Sequence, residues 1–210
     1  MSPRPPDSPI HFAIVLAAGA STRMGTCKAS LPWLNGTTLL SYQVEQLLQA
    51  GVTPIVVLGP HNQQQPGARS SQIAINPHPE AGKVSSIHTG LRYVPPTWHS
   101  LMVVAVDQPR PYWIYQSLLQ SHNSGTAPIT APMYQGRIGH PLVFSAIARS
   151  LLEGLQEETL GLRQVIRAFN QQIQRVEFHT PDVLLDLNTP KQYHAVLLAW
   201  QRTSLAPPTS

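Results

Sequence analysis

An apolar run, Phe12, Ala13, Ile14 and Val15, passes directly into Leu16-Ala17-Ala18-Gly19-Ala20-Ser21-Thr22-Arg23-Met24-Gly25-Thr26-Cys27-Lys28. This reads as a buried strand opening into a phosphate-holding loop. Small side chains at Ala17, Ala18, Gly19, Ala20 and Ser21 let a polyanion approach the backbone, so that main-chain N–H groups can converge on phosphate oxygens. Arg23 and Lys28 add fixed positive charge. Two common phosphate loops fail on spacing. Five residues, not four, separate Gly19 from Gly25, and Lys28 stands three past the second glycine, so the P-loop pattern is not met. No glycine stands two residues after Gly19, which excludes the dinucleotide fingerprint and argues against a dehydrogenase. The alternative is an ordinary strand-to-helix turn that carries two cations.

The chain has 210 residues, the size of one α/β domain, and is long enough to bury a proper core. Residues 1–10 and 204–210 are expected to be flexible tails around a single domain at 11–203. Charged residues are scarce at 11%, yet hydrophobic content is 42%, so the segments are read as globular despite 21 prolines. The net charge of +4 is scattered singly rather than gathered into a run. That favours an anionic small molecule over nucleic acid. A lone cysteine, Cys27, excludes an internal disulfide and a cysteine-based zinc site. No apolar run approaches the roughly 18 residues of a membrane span, and the polar, proline-rich start is unlike a secretory signal. A cytoplasmic protein without a membrane partner is expected.

Leu40, Val44, Leu47 and Leu48 recur at helical spacing within 38–50, and Gly51 follows as a stop. Residues 54–59 and 72–76 read as short buried strands, with a loop over 61–71. Strand, helix and strand in this order imply a parallel, right-handed crossover. Residues 126–134 and 140–144 read as two strands joined through a glycine-containing turn at 136–139. Leu162, Val165, Ile166 and Phe169 make a core-facing helix, and 183–188 reads as a strand running into a helix capped by Thr189 with Pro190 first. The fold class expected is a Rossmann-like three-layer α/β/α domain, mostly parallel with a small antiparallel element.

The residues Leu16-Ala17-Ala18-Gly19, Ser21, Arg23-Met24-Gly25 and Lys28 resemble the signature of nucleotidyltransferases that act on the molybdenum cofactor and related phosphorylated small molecules. The likeness runs from Ala13 to about Tyr193 and implies the fold of the nucleotide-diphospho-sugar transferases. It implies that the loop wraps a nucleoside triphosphate, with Leu16, Ala17, Ala18, Gly19, Ser21, Arg23, Gly25 and Lys28 in the nucleotide site. The Ala-Ala-Gly form is more similar to the cytidylyltransferase branch; the guanylyltransferase branch usually has glycine at the position of Ala18. A second landmark is Asn76-Pro77 followed by Gly82 and the pair Ser85-Ser86 at a helix start. Asn76, Ser85 and Ser86 join the nucleotide site on this likeness, and the serines suit either capping or ligand contact. Lys83 stands where the family carries an apolar residue. It either adds a phosphate contact or points to solvent.

The apolar strand at 101–106 ends in Asp107. In an open parallel sheet the ligand crevice lies beyond the carboxyl ends of the strands, so Asp107 and the Gly19 loop are expected to meet there. A carboxylate facing a triphosphate repels it unless a divalent cation intervenes, which makes Asp107 a magnesium-ligand candidate; the alternative is a cap on the helix beginning near Pro111. Gly139-His140-Pro141 matches the family's Gly-His-Pro element on the acceptor side of the pocket, with a purely structural histidine as the alternative. Asp186 and Asn188 match its Asp-x-Asp-Thr-Pro element, Asn188 replacing the second Asp. They are metal-ligand candidates there, or parts of a structural cap. At 159–163 the family's Asp is missing.

Arg23, Lys28 and Asp107 are thus the expected catalytic residues, with magnesium as cofactor. The reaction the resemblance implies is transfer of CMP from CTP to the phosphate of a molybdopterin cofactor, with a molybdoenzyme or cofactor-delivery protein as a further partner. GMP transfer to that cofactor and nucleotidyl transfer to a sugar or alditol phosphate are alternatives. A nucleotide-binding module without turnover is a third, from another class.

Overall fold

A computed structural model describes residues 10–21, 24–157 and 161–202. Arg23, expected to contact phosphate, lies outside the described residues, as do the tails at 1–9 and 203–210. Strand β1 (His11–Leu16) is central, flanked in parallel by β2 (Thr53–Leu58) and β4 (Ser100–Ala105), with β3 (Gln72–Ile75) outside β2. On the other side of β4 comes β7 (Leu142–Ser145), antiparallel to both β4 and β5 (Ile129–Tyr134). The two-residue β6 (Arg137–Ile138) pairs with the end of β5, and β8 (Ile173–Glu177) runs parallel along its far edge. The sheet is therefore mostly parallel with a small antiparallel element, as expected.

Alternation along β1 builds the layers. Phe12 and Ile14 pack with Val84, Ile87 and Leu91 of α2 (Lys83–Leu91) and with Leu152 and Val165 of α4 (Arg149–Glu153) and α5 (Leu162–Ala168). Ala13 and Val15 pack on the opposite face with Leu40, Val44 and Leu47 of α1 (Leu39–Gln49) and with Ile114 and Leu118 of α3 (Tyr112–Ser124). Burying both faces explains why the strand reads as a continuous apolar run. Each fully buried Ile or Val side chain contributes about 1.5–3 kcal/mol. A third cluster joins Trp33, Tyr42, Tyr193 and Trp200, and it fastens α6 (Pro190–Arg202) beside α1. Helix α1 is capped by Thr38, whose Oγ1 accepts from Ser41 N at 3.1 Å.

The expected strand at 183–188 does not form. The chain makes a 3-10 turn at Pro181–Leu184 and then runs extended without a ladder partner. Its carbonyls are taken by side-chain and loop donors instead: Val183 O accepts from His140 N at 2.9 Å and from Arg110 Nη2 at 3.1 Å, and Leu185 O accepts from Arg110 Nη2 at 3.0 Å. The cap after it is as expected, Gln192 N donating to Thr189 Oγ1 at 3.2 Å.

Candidate active site

The crevice opens where β1 and β4 end. Val106 N donates to Leu16 O at 3.0 Å, which carries the pairing one residue beyond the ladder. From below, buried Gln43 of α1 donates to Ala105 O at 2.9 Å and to Val106 O at 3.3 Å. Leu187 N donates to Asp107 O at 2.9 Å and brings the segment after the 3-10 turn against the strand end. The strand end at 105–107 is thereby fixed by Leu16, Gln43 and Leu187, and the Asp107 side chain meets Lys28 of the glycine loop. Asp107 does not cap α3, whose N-cap is Pro111 without a side-chain hydrogen bond.

Lys28 Nζ donates to Asp107 Oδ2 at 2.7 Å and to Asn188 Oδ1 at 3.3 Å. Loop shape delivers this side chain. Lys28 N donates to Ser21 Oγ at 3.2 Å, and Ser21 itself takes φ +53°. Asn62 stiffens the loop from behind, donating to Ala17 O at 2.8 Å while its Oδ1 accepts from Gly59 N at 2.8 Å. Half-buried Cys27 accepts weakly from Asn62 and Gln65, which suits a packing residue.

Two adjoining cavities meet at this point. The first, about 280 Å³, is lined by Leu16, Ala18, Gly19, Ser21, Lys28, Ser86, Asp107 and Asn188 among others. The second, about 340 Å³, is lined by Gln108, His140, Gly161, Arg163 and Asp186 among others. Of the expected nucleotide residues, Ala17 stands behind the wall with both main-chain groups engaged, its N–H on Val57 O at 2.9 Å and its carbonyl on Asn62. Gly25, at φ +67°, serves the loop's turn and is outside the lining. Asn76 is also a support: it donates to Ser86 Oγ at 3.0 Å and accepts from Ser85 Oγ at 3.1 Å. The two serines are tied to Asn76 rather than capping α2, whose N-cap is Gly82.

On the acceptor side only His140 of the expected three reaches a cavity. Gly139 and Pro141 are buried behind it. Burial first, and the nearby Arg110 charge second, push the His140 imidazole down to about 4, so it is neutral at pH 7. Arg110 itself was not singled out by sequence. It is wholly buried, and it donates to His140 O at 3.1 Å, Pro109 O at 2.8 Å, Val183 O and Leu185 O. Its only local signal is an arginine between two prolines just past a strand-end carboxylate. Gln43 and Asn62 left no spacing signal at all, because they hold backbone carbonyls.

Asp107 Oδ2 and Asn188 Oδ1 converge on one cation position, filled by the Lys28 ammonium. Two hard oxygen donors of this kind fit a magnesium ion that takes its remaining ligands from phosphates and water. Among the described residues there is no cluster of three His, Cys, Asp or Glu side chains that could hold a metal. Asp186 lines the second cavity, and its Oδ1 accepts from Gln108 Nε2 at 2.8 Å.

Known proteins share this arrangement of chain. A molybdenum cofactor cytidylyltransferase of Escherichia coli (strain K12) is 27% identical over 185 residues, 86% of this chain and 92% of the relative. A nicotine blue oxidoreductase of Paenarthrobacter nicotinovorans is 28% identical over 204 residues, 91% and 98% of the two chains. A solved nucleotidyl transferase from Methanothermobacter thermautotroptrophicus superposes with a TM-score of 0.76 at 22% identity, covering 93% of this chain and 99% of that one. The family model of the MobA-like NTP transferase domain matches residues 13–176, from within β1 to the penultimate residue of β8. On that match the chain belongs to the MobA-like NTP transferase domain family, and it is a nucleotidyltransferase.

Proposed function

We propose that this nucleotidyltransferase moves CMP from CTP to the phosphate of a pterin-type molybdenum cofactor and releases pyrophosphate, with magnesium as the metal. The observation that carries the reading is the meeting of Lys28 with Asp107, 79 residues apart, at the mouth of the glycine loop. A cation and a carboxylate side by side against a small-residue loop suit a triphosphate with a hard metal ion. The choice of CTP and of this acceptor is supported by the Ala17-Ala18-Gly19 form of the loop and by the likeness to the Escherichia coli enzyme.

An oxygen of the acceptor phosphate forms a bond to the α-phosphorus, the bond from that phosphorus to the bridging oxygen of the β-phosphate breaks, and pyrophosphate leaves with the electron pair. Catalysis of such a step is alignment and charge stabilisation, not covalent chemistry. Lys28 supplies positive charge to the triphosphate, and Ala18, Gly19 and Ser21 let it approach the loop backbone. A divalent cation on Asp107 and Asn188 would offset charge on the departing pyrophosphate. A phosphate monoester is already ionised near pH 7, so no general base is required, and neutral His140 is free to hydrogen-bond the acceptor.

The test is pyrophosphate release in magnesium with each of the four nucleoside triphosphates and molybdenum cofactor as acceptor. Release with CTP, reduced about 100-fold or more in Asp107→Ala, is the expected result. Release with GTP alone would assign GMP transfer. Nucleotide binding without turnover on this acceptor or on sugar and alditol phosphates would favour the binding-module reading.

A further inference from the structure

Lys83 has no task in the chemistry above, yet it holds a singular position. The linings of the two cavities share three residues: Leu16, Lys83 and Ala105. Two of these are apolar, so among the described residues Lys83 is the only charged side chain shared by the two linings. It has no hydrogen-bond or ion-pair partner among the described residues, whereas Lys28 is engaged by Asp107 and Asn188. One amide at the start of α2 is not available to a ligand. Val84 N is already given to Glu157 Oε2 at 2.8 Å. Across the second cavity, Asp186 is held by Gln108, and Arg163 lines that cavity alone.

A nucleoside triphosphate in the first cavity and a phosphorylated acceptor in the second must bring two anions together at the shared wall. Like charges brought to one wall oppose the approach, and a cation between them, here the exposed Lys83 ammonium, offsets part of the opposition. We propose that Lys83 is a substrate-contacting residue that seats the acceptor's phosphate beside the α-phosphate of the nucleotide. The inference rests on the nucleotidyl-transfer reading and names the chemistry of its second substrate: a small molecule carrying a phosphate monoester. An uncharged or cationic acceptor would gain nothing from an ammonium at the seam.

Two measurements test it. In the first, binding of inorganic phosphate is followed on the protein saturated with α,β-methylene CTP, in the wild type, Lys83→Met and Lys83→Arg. The methionine variant is expected to bind phosphate at least about tenfold more weakly, and the arginine variant to recover most of the loss. The nucleotide analogue's own affinity is expected to change less than about threefold. Unchanged phosphate binding in Lys83→Met would overturn the proposal, and so would an equal loss of nucleotide affinity, which would assign Lys83 to the triphosphate. In the second, pyrophosphate release with molybdenum cofactor is expected to lose at least about tenfold in kcat/KM for the acceptor in Lys83→Met. If the wild type shows no release, the functional reading fails, and the phosphate titration still decides the role of Lys83.

Discussion

The His140 imidazole sits in the cavity wall, partly buried, and its own carbonyl accepts from the Arg110 guanidinium. Burial and that neighbouring positive charge both disfavour a second proton, which is why its pKa falls from 6.5 to about 4. The sign of the stability effect follows. The folded-state value is below the unfolded one, so the unfolded chain takes up the proton first as pH drops. The stabilisation is complete above about pH 6.5 and is lost on the way to pH 4, amounting to roughly 2–3 kcal/mol by pH 4.5. His122, buried against Thr130 Oγ1 and also lowered by burial, acts in the same direction. Urea unfolding of the wild type at pH 7 and pH 4.5 is therefore expected to show a large drop in stability. In His140→Gln the drop should shrink by that amount and keep the His122 share. An equal drop in both proteins would mean that His140 is not held neutral.

Among the elements, the turn from β5 into the acceptor-side loop contains two glycines with opposite reasons for being there. Gly136 follows Gln135 in a two-residue hairpin with φ of +75° and +49°, and a side chain at Gly136 would meet open space. Gly136→Ala should cost only the left-handed backbone penalty, about 1–2 kcal/mol. At Gly139 a Cβ would stand 2.2 Å from Val183 O, backbone against backbone. Gly139→Ala should force the His140 loop from the 181–187 segment and cost about 3 kcal/mol or more. Urea midpoints of the two variants check the order; a milder Gly139→Ala would mean that the two segments separate easily. This junction is also where sequence reading reached its limit. β1, β2, β4 and α1 were legible because apolar runs and helical spacing were punctuated by glycine and proline. The 183–188 run is equally apolar, but its carbonyls go to Arg110 and His140, a long-range choice that leaves no local pattern. β8 went unread for the opposite reason: in Ile173–Glu177 polar and charged residues interrupt the apolar ones, as an edge strand permits. At the site, Lys28 and Asp107 could be read because charge next to glycine, or at a strand end, is a chemical signal. The residues that position them carry no such mark.

For the molecule as a whole, the question is what keeps the second half of the site joined to the first, since no regular ladder links residues 181–188 to the sheet. Arg110 does so. One guanidinium ties Pro109, four residues past the β4 end, to His140 on the acceptor side and to Val183 and Leu185 on the path to Asp186 and Asn188. Burial pulls its pKa down to about 10, which leaves it charged at neutral pH, with Tyr115, Asp186, Asp182 and Asp107 around it opposing the shift. Arg110→Met would strip hydrogen-bond donors from four carbonyls in a place water does not reach. The expected loss is about 3–5 kcal/mol in unfolding free energy. Arg110→Lys keeps the charge but replaces a planar fork with a point donor, so it should recover only part of that loss. The two variants also separate stability from assembly of the site. If Arg110 joins the halves, Arg110→Lys, still folded at 25 °C, should lose activity about tenfold or more, because a small displacement of Asn188 from Asp107 opens the paired oxygens. Urea unfolding and pyrophosphate release on the same preparations decide it: full activity in Arg110→Lys would mean that the Leu187 to Asp107 backbone bond suffices to hold the halves together.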